Sequence, residues 1–402
     1  MSKKKFLLDT VFNIIGTAIP IIILQLYTLP KIGDKFGEEQ YGIVITFISL
    51  FTVLSFPFGN VLNNIRLLLN RKYEENNYSG DFNILLLYSM GISAILVAFC
   101  TFFYEGNLLI TSILLMILIT SLNLIREYYV VSFRIVINYK KILINNIILA
   151  AGYVIGTILF QYTGAWQTIY ILGFGCSLLY IIKNSTLWKE PFEKTILFKS
   201  TTYKSSVLLG SSLLSNVLSY ADKLLLFPLL GPVSVSIYYT STIVGKIISM
   251  IINPINGVIL SYLSKMEKIQ LKIFLSIILV TSFIGLIGYF FTVFISPFVL
   301  NFLYPSWAEE SLKYIYITSA TAIVELMISV INPFILKFNN INWQFVINGT
   351  NIIVYLVSTI VLYNFYGLAG FCMGILVSST YQFILMISIF LYEHRRALNA
   401  HL

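Results

Sequence analysis

The longest stretch of this 402-residue chain without a single Asp, Glu, Lys or Arg runs from residue 338 to residue 392. Five more uncharged stretches cover 41–65, 82–104, 106–125, 142–182 and 273–308. A helix needs about 20 apolar residues to cross a bilayer, so the longer stretches each hold two crossings. With 58% hydrophobic and 11% charged residues, against about 25% charged in soluble domains, the chain has lipid as its solvent. Because lipid offers no partner for backbone polar groups, an all-α architecture is expected.

Gly-, Asn-, Pro- and aromatic-rich clusters divide the long stretches: YTGAWQ at 162–167, SPFVLNFLYPSW at 296–307 and NFYGLAG at 364–370. The resulting reading is an all-α polytopic membrane protein of about twelve transmembrane helices. They are placed at 8–30, 41–65, 83–103, 108–126, 142–161, 168–183, 206–228, 236–262, 273–295, 313–335, 346–363 and 371–391.

Lys and Arg collect in cytoplasmic loops, which fixes the orientation. Most of the 26 basic residues alternate onto one side: the MSKKK start, Arg66/Arg71/Lys72, Arg126/Arg134/Lys140/Lys141, five lysines at 183–204, Lys265/Lys268/Lys272, Lys337 and Arg395/Arg396. Only Lys31, Lys35 and Lys313 fall on the other side. Both termini are therefore expected in the cytoplasm, and the net charge of +9 reads as contact with anionic headgroups rather than nucleic acid. The basic start with its apolar stretch is read as a retained first helix, not a cleaved signal. Cys100, Cys176 and Cys372 lie in or beside apolar spans and suggest neither a disulfide framework nor a metal site.

The longest cytoplasmic connector, 183–205, separates six spans from six and carries an amphipathic, basic sequence. It divides the chain into an N-terminal six-helix lobe, 1–182, and a C-terminal six-helix lobe, 206–402, ending in a short cytoplasmic tail. A weak repeat agrees: Tyr41, Pro57 and Val61 recur 197 residues later as Tyr238, Pro254 and Val258. Two parallel six-helix repeats are an arrangement used by alternating-access transporters.

Charges inside spans are costly and point into protein or a wet cavity. Asp222, Lys223, Lys246 and Glu325 are the conspicuous ones. They lie on polar stripes at helical spacing: Ser211, Ser215, Ser219 and Asp222; Tyr239, Thr242, Lys246, Ser249, Asn253 and Asn256; Thr318, Thr321, Glu325, Ser329 and Asn332. A milder first-lobe version has Asp9, Asn13 and Thr17, then Thr52, Asn60, Asn63 and Arg66. Ser/Thr stripes also serve plain helix–helix hydrogen bonding, whereas Lys246 and Glu325 point more to function than to a structural ion pair. Prolines 20, 57, 254 and 333 fall inside spans and permit kinks. The two histidines, His394 and His401, sit near the end, and no HExxH, P-loop or nucleotide fingerprint occurs, so an enzyme is not expected.

FNIIGTAIP with its Asn13, the outer segment LPKIGDKFGEEQYG entering the second helix, and SYADKLLLFPLLGPVSVSIYYTST entering the eighth are similar to the Wzx-type polysaccharide flippases. These belong to the multidrug/oligosaccharidyl-lipid/polysaccharide (MOP) exporter superfamily, which also holds the MATE drug exporters. The resemblance implies two six-helix bundles around a central cavity in the bacterial cytoplasmic membrane. It also implies alternating access and a polyprenyl-pyrophosphate-linked oligosaccharide carried to the outer leaflet. The lipid itself, a polysaccharide polymerase and assembly proteins are the implied partners. Lys246, with Lys223, Arg66 and Arg126, would meet the pyrophosphate, and Asn253, Asn60 and Asn13 would line the cavity. No cofactor is implied beyond a coupling ion, H+ or Na+, at Asp222 or Glu325. Those acids keep a cation-coupled multidrug exporter open as an alternative; a membrane-embedded polymerase is disfavoured by short outer loops. The related branch that flips peptidoglycan precursor typically has two further helices.

Overall fold

The computed structural model describes residues 3–105, 110–247, 269–339 and 342–399, and among them every regular element is a helix. The first long run is α1 (Lys3–Ile23), a π-helical turn (Leu24–Thr28) and α2 (Leu29–Glu75). Next come α3 (Asp81–Glu105), α4 (Ile110–Tyr129), the short α5 (Val131–Ile135), α6 (Tyr139–Thr163) and α7 (Gln167–Asn184). A 3-10 turn (Leu187–Lys189) leads to α8 (Phe198–Ser241). The chain continues with α9 (Leu271–Leu303), α10 (Ala308–Leu312), α11 (Ile315–Phe338) and α12 (Asn342–Asn399).

Eight of these runs are long and apolar enough to cross a membrane. Three of the eight are each broken once, at Gly37, Gly231 and Gly367, where φ is 73°, 78° and 56°. Only glycine adopts such left-handed backbone without strain, so the helix stops and restarts within one residue. Counting each broken run twice, and adding the shorter α7, gives twelve passes. The eighth starts at Pro232 and is described to Ile247. The Pro30–Tyr41 segment, expected as an outer loop, is therefore almost wholly helical. The 296–307 cluster also turns later than expected, because α9 runs through Pro297 to Leu303.

Contacts group the chain into Met1–Leu229 and Leu230–Leu402. In the first unit, α6 and α7 approach until a Cβ on Gly152 would lie 2.7 Å from the Gly173 Cα, and one on Gly156 2.5 Å from the Ile169 Cα. Small residues let backbones pack this closely where no hydrophobic force drives helices together. Buried polar pairs cross between helices: Asn123 Nδ2 donates to Ser55 Oγ at 2.6 Å, and Ser177 Oγ to Asn145 Oδ1 at 2.9 Å. In the second unit Phe274, Phe334 and Phe390 form an aromatic core. Phe283, Phe290, Phe294, Phe298 and Phe302 on α9 stay exposed. A row of bare aromatics of this extent suits a lipid-facing surface and not an aqueous one.

The connector after α7 is docked on the first unit. Asp81, fully buried at the start of α3, accepts hydrogen bonds from the Thr195 amide (2.7 Å), the Thr195 hydroxyl (2.6 Å) and the Tyr73 hydroxyl (2.7 Å). Tyr73 in turn lies 2.8 Å from the Thr201 hydroxyl. Gly80, at φ 105°, sits where a Cβ would be 2.7 Å from both the Pro191 and Glu193 carbonyl oxygens, so the connector presses against bare backbone.

Asp81→Asn puts donors against donors at this anchor and is expected to cost the docked connector about 1–3 kcal/mol. Limited trypsin digestion of the purified chain should then cut faster at Lys189 and Lys194, with the remaining sites unchanged.

Candidate functional site

At the end of the first unit that carries the connector, Arg66 is brought inward by the face of α2 that also buries Leu62 and Ile65. It is 5% exposed and grips Glu190 of the connector with both Nη atoms, at 2.6 and 3.2 Å. The Tyr73 and Phe82 rings lie 5.6 and 4.9 Å from the guanidinium carbon. The Glu190 main-chain carbonyl accepts from Asn83 Nδ2 at 2.8 Å. A cleft of about 1130 Å³ opens here, lined by Arg66, Lys141, Lys183, Trp188 and Lys189 among others.

Arg126, near the end of α4, is buried, pairs with its neighbour Glu127 and lies 5.5 Å from the Phe174 ring. Asn63 ties α2 to this end of α4 by donating to the Glu127 carbonyl at 2.8 Å, and its side-chain oxygen accepts from Arg134 at 2.5 Å. Asn60 is half-buried one turn before, with Asn64 Nδ2 3.4 Å from its Oδ1. Asn13 is exposed on α1, where its carbonyl accepts from the Thr17 hydroxyl at 2.9 Å.

Lys223 is 5% exposed, and its ammonium lies 2.5 and 2.6 Å from the two carboxylate oxygens of Asp222, with the Tyr220 ring at 5.4 Å. The helix that carries this pair belongs to the first unit, where the Tyr104 hydroxyl donates to the Leu224 carbonyl at 2.8 Å.

In the second unit the helix starting at Pro232 packs along α11. Thr240 meets Ser311 at 2.6 Å, Thr318 Oγ1 donates to the Ser241 carbonyl at 3.0 Å, and a Cβ on Gly245 would lie 2.5 Å from Ala322 Cβ. Lys246 follows Gly245, with its ammonium 4.0 Å from the Tyr239 ring centroid. Glu325 lies one turn beyond Ala322 on α11. The close approach at Gly245 thus sets Lys246 and Glu325 on adjoining helices. Asn253, with Ser249, Pro254 and Asn256, lies outside the described residues.

Each of the four cations singled out from the sequence, Arg66, Arg126, Lys223 and Lys246, lies beside an aromatic ring. Cations over ring faces gain from the ring quadrupole, most when desolvated. The Ser/Thr stripes are largely internal: Ser219 and Thr321 donate to carbonyls one turn back on their own helices. Glu190, Asp81 and Arg134 were not singled out from the sequence. The one available signal for Glu190 was an acid set among the lysines of the connector. Among the described residues no group of three or more His, Cys, Asp or Glu side chains gathers as a metal site would.

No protein-family model matches the sequence, and no curated protein matches it. Solved structures do. The inward-closed lipid II flippase MurJ matches over 94% of this chain and 86% of its own, at TM-score 0.70 and 15% identity. An inward-facing multidrug resistance MATE family transporter of the MOP superfamily matches over 96% and 98%, at 0.62 and 12%. An outward-facing one matches over 98% and 95%, at 0.59 and 12%. The chain is a multi-pass membrane protein with the fold of MOP-superfamily transporters and flippases.

Removing one member of a buried ion pair strands the other, at a cost of about 3–5 kcal/mol. Asp222→Asn and Lys223→Met are each expected to lower the thermal stability of the detergent-solubilised protein. The double variant should recover most of the loss, and a fluorescence-detected melting series on the three variants checks this.

Proposed function

We propose that the chain is a flippase that carries a polyprenyl-pyrophosphate-linked oligosaccharide from the cytoplasmic to the outer leaflet of a bacterial cytoplasmic membrane, for surface polysaccharide synthesis. In this reading both termini are cytoplasmic. The lobes are 1–182 and 206–402, joined by 183–205, and transport proceeds by alternating access without nucleotide hydrolysis. The observation that carries the reading is the sign and setting of the inward charges: Arg66, Arg126, Lys223 and Lys246 are cations, each set beside an aromatic ring. A pyrophosphate needs cations with little competing water, and sugars stack on aromatic faces.

Lys246 is the residue proposed to meet the pyrophosphate, with Lys223, Arg66 and Arg126 serving it on entry and Asn60, Asn13 and Asn253 contacting sugar. Polysaccharide polymerase and assembly proteins would receive the product. A cation-coupled multidrug exporter is the second reading. The observation that favours it is Asp222, a carboxylate inside a span whose salt bridge a proton or Na+ could open.

Lys246→Ala is expected to lower surface glycan export by about tenfold to a hundredfold at equal protein level, the value of one charge-assisted contact. Lipid-linked oligosaccharide should accumulate on the cytoplasmic side, read by leaflet-selective labelling. Normal export by the variant refutes the Lys246 role. Drug resistance on overexpression without any effect on glycan supports the exporter instead.

A further inference from the structure

We propose that Arg66 is the seat of a phosphate-binding site in the cytoplasmic cleft of the first unit, and that the Glu190 carboxylate is a built-in stand-in which an incoming phosphate displaces. The inference rests on the flippase reading only for the identity of the natural ligand, not for the site.

Four observations carry it. The Arg66 fork holds Glu190 through two parallel contacts, at 2.6 and 3.2 Å, the geometry in which a guanidinium also takes phosphate. Its Nε is buried and has no hydrogen-bond partner among the described residues. A carboxylate seated on the two Nη atoms does not reach the Nε edge of the planar guanidinium; a pyrophosphate, with two phosphoryl groups, carries oxygens for both edges. Leaving a buried donor unmade is costly, so the present occupant satisfies the fork incompletely.

The surroundings point the same way. The Tyr73 and Phe82 rings hold the guanidinium in place whichever anion it binds. The cleft beyond it, about 1130 Å³, is large enough for a headgroup or a sugar phosphate and is lined by Lys141, Lys183 and Lys189. Among the described residues Glu74 and Glu190 are its only lining carboxylates, so once Glu190 is set against Arg66 the remaining described wall is net cationic.

Glu190 is also free to leave without unfolding its surroundings. Its backbone carbonyl stays fixed by Asn83, and the connector is held separately by the Asp81–Thr195 bonds. Rotation of one side chain is enough to vacate the fork. The ligand chemistry is a phosphate at the cytoplasmic membrane surface, supplied by a lipid-linked pyrophosphate or by an anionic phospholipid headgroup.

The test uses the full chain in phosphatidylcholine nanodiscs, titrated with radiolabelled inorganic pyrophosphate. Glu190→Gln, which keeps shape and removes charge, is expected to bind roughly tenfold tighter than the unaltered chain. Arg66→Lys, which keeps charge and loses the fork, should bind roughly tenfold weaker. Equal or weaker binding by Glu190→Gln overturns the proposal even if Arg66→Lys fails to fold, as does unchanged binding by Arg66→Lys. Repeating the Glu190→Gln titration in phosphatidylglycerol nanodiscs separates the sources. Competition by the lipid makes the headgroup the ligand, and absence of competition favours pyrophosphate; both keep the site. Tighter binding by Glu190→Gln in a chain whose loss leaves glycan export normal keeps this site and removes the flippase reading. Export without the Glu190→Gln effect removes this site alone.

Discussion

Every backbone amide and carbonyl inside hydrocarbon must find its partner within the protein, and the structure follows from that demand. It explains why the described residues hold helices and no strands, and why three connections between passes shrink to single glycines at 37, 231 and 367. A longer loop would bring unpaired polar groups close to lipid. A glycine at positive φ reverses the chain path while giving up the fewest intrahelical bonds. The same demand acts on side chains, since most Ser and Thr hydroxyls in the spans return to a carbonyl of their own helix. Thr46, Ser49, Thr52 and Thr120 all bond four residues back.

Charge is the second expense in lipid, and the chain meets it in two ways. Inside the spans Lys223 is neutralised by the residue beside it, a local solution requiring no second helix. At the connector the solution is long-range: Arg66 and Glu190 are 124 residues apart, and Asp81 and Thr195 are 114 apart. The long-range pairs fasten the connector to the first unit and also build the cleft. Fold and candidate site are thus made by the same few bonds at that end.

This difference decides what could be read from the sequence. Passes were legible because hydrophobic length and loop charge are local properties. The Pro30–Tyr41 segment was misjudged because Pro, Gly and charge together read as loop, whereas Pro fits the first turn of a helix and one Gly suffices to break it. The repeat seen as Tyr41/Tyr238 finds an echo in backbone conformation. A left-handed glycine joins passes one and two (Gly37), five and six (Gly164), seven and eight (Gly231), and eleven and twelve (Gly367). Among the site residues, the cations were legible as exceptions in apolar sequence, but their partners were not. Nothing in the local pattern marks Glu190 off from Glu193 three residues on, and only the fold brings one of them to Arg66.

The charges are also distributed between the units differently from their order along the chain. From sequence the mid-span charges crowd the second half, which points to that half for headgroup chemistry. In the folded chain the helix bearing Asp222 and Lys223 groups with the first unit, alongside Arg66 and Arg126, while Lys246 and Glu325 belong to the second. The passage from one unit to the other falls at Leu229–Leu230, beside the glycine break at 231. Gly231→Ala, which puts a side chain on backbone at φ 78° and ψ 176°, is expected to cost about 1–3 kcal/mol of stability, as a melting measurement on the detergent-solubilised variant would register.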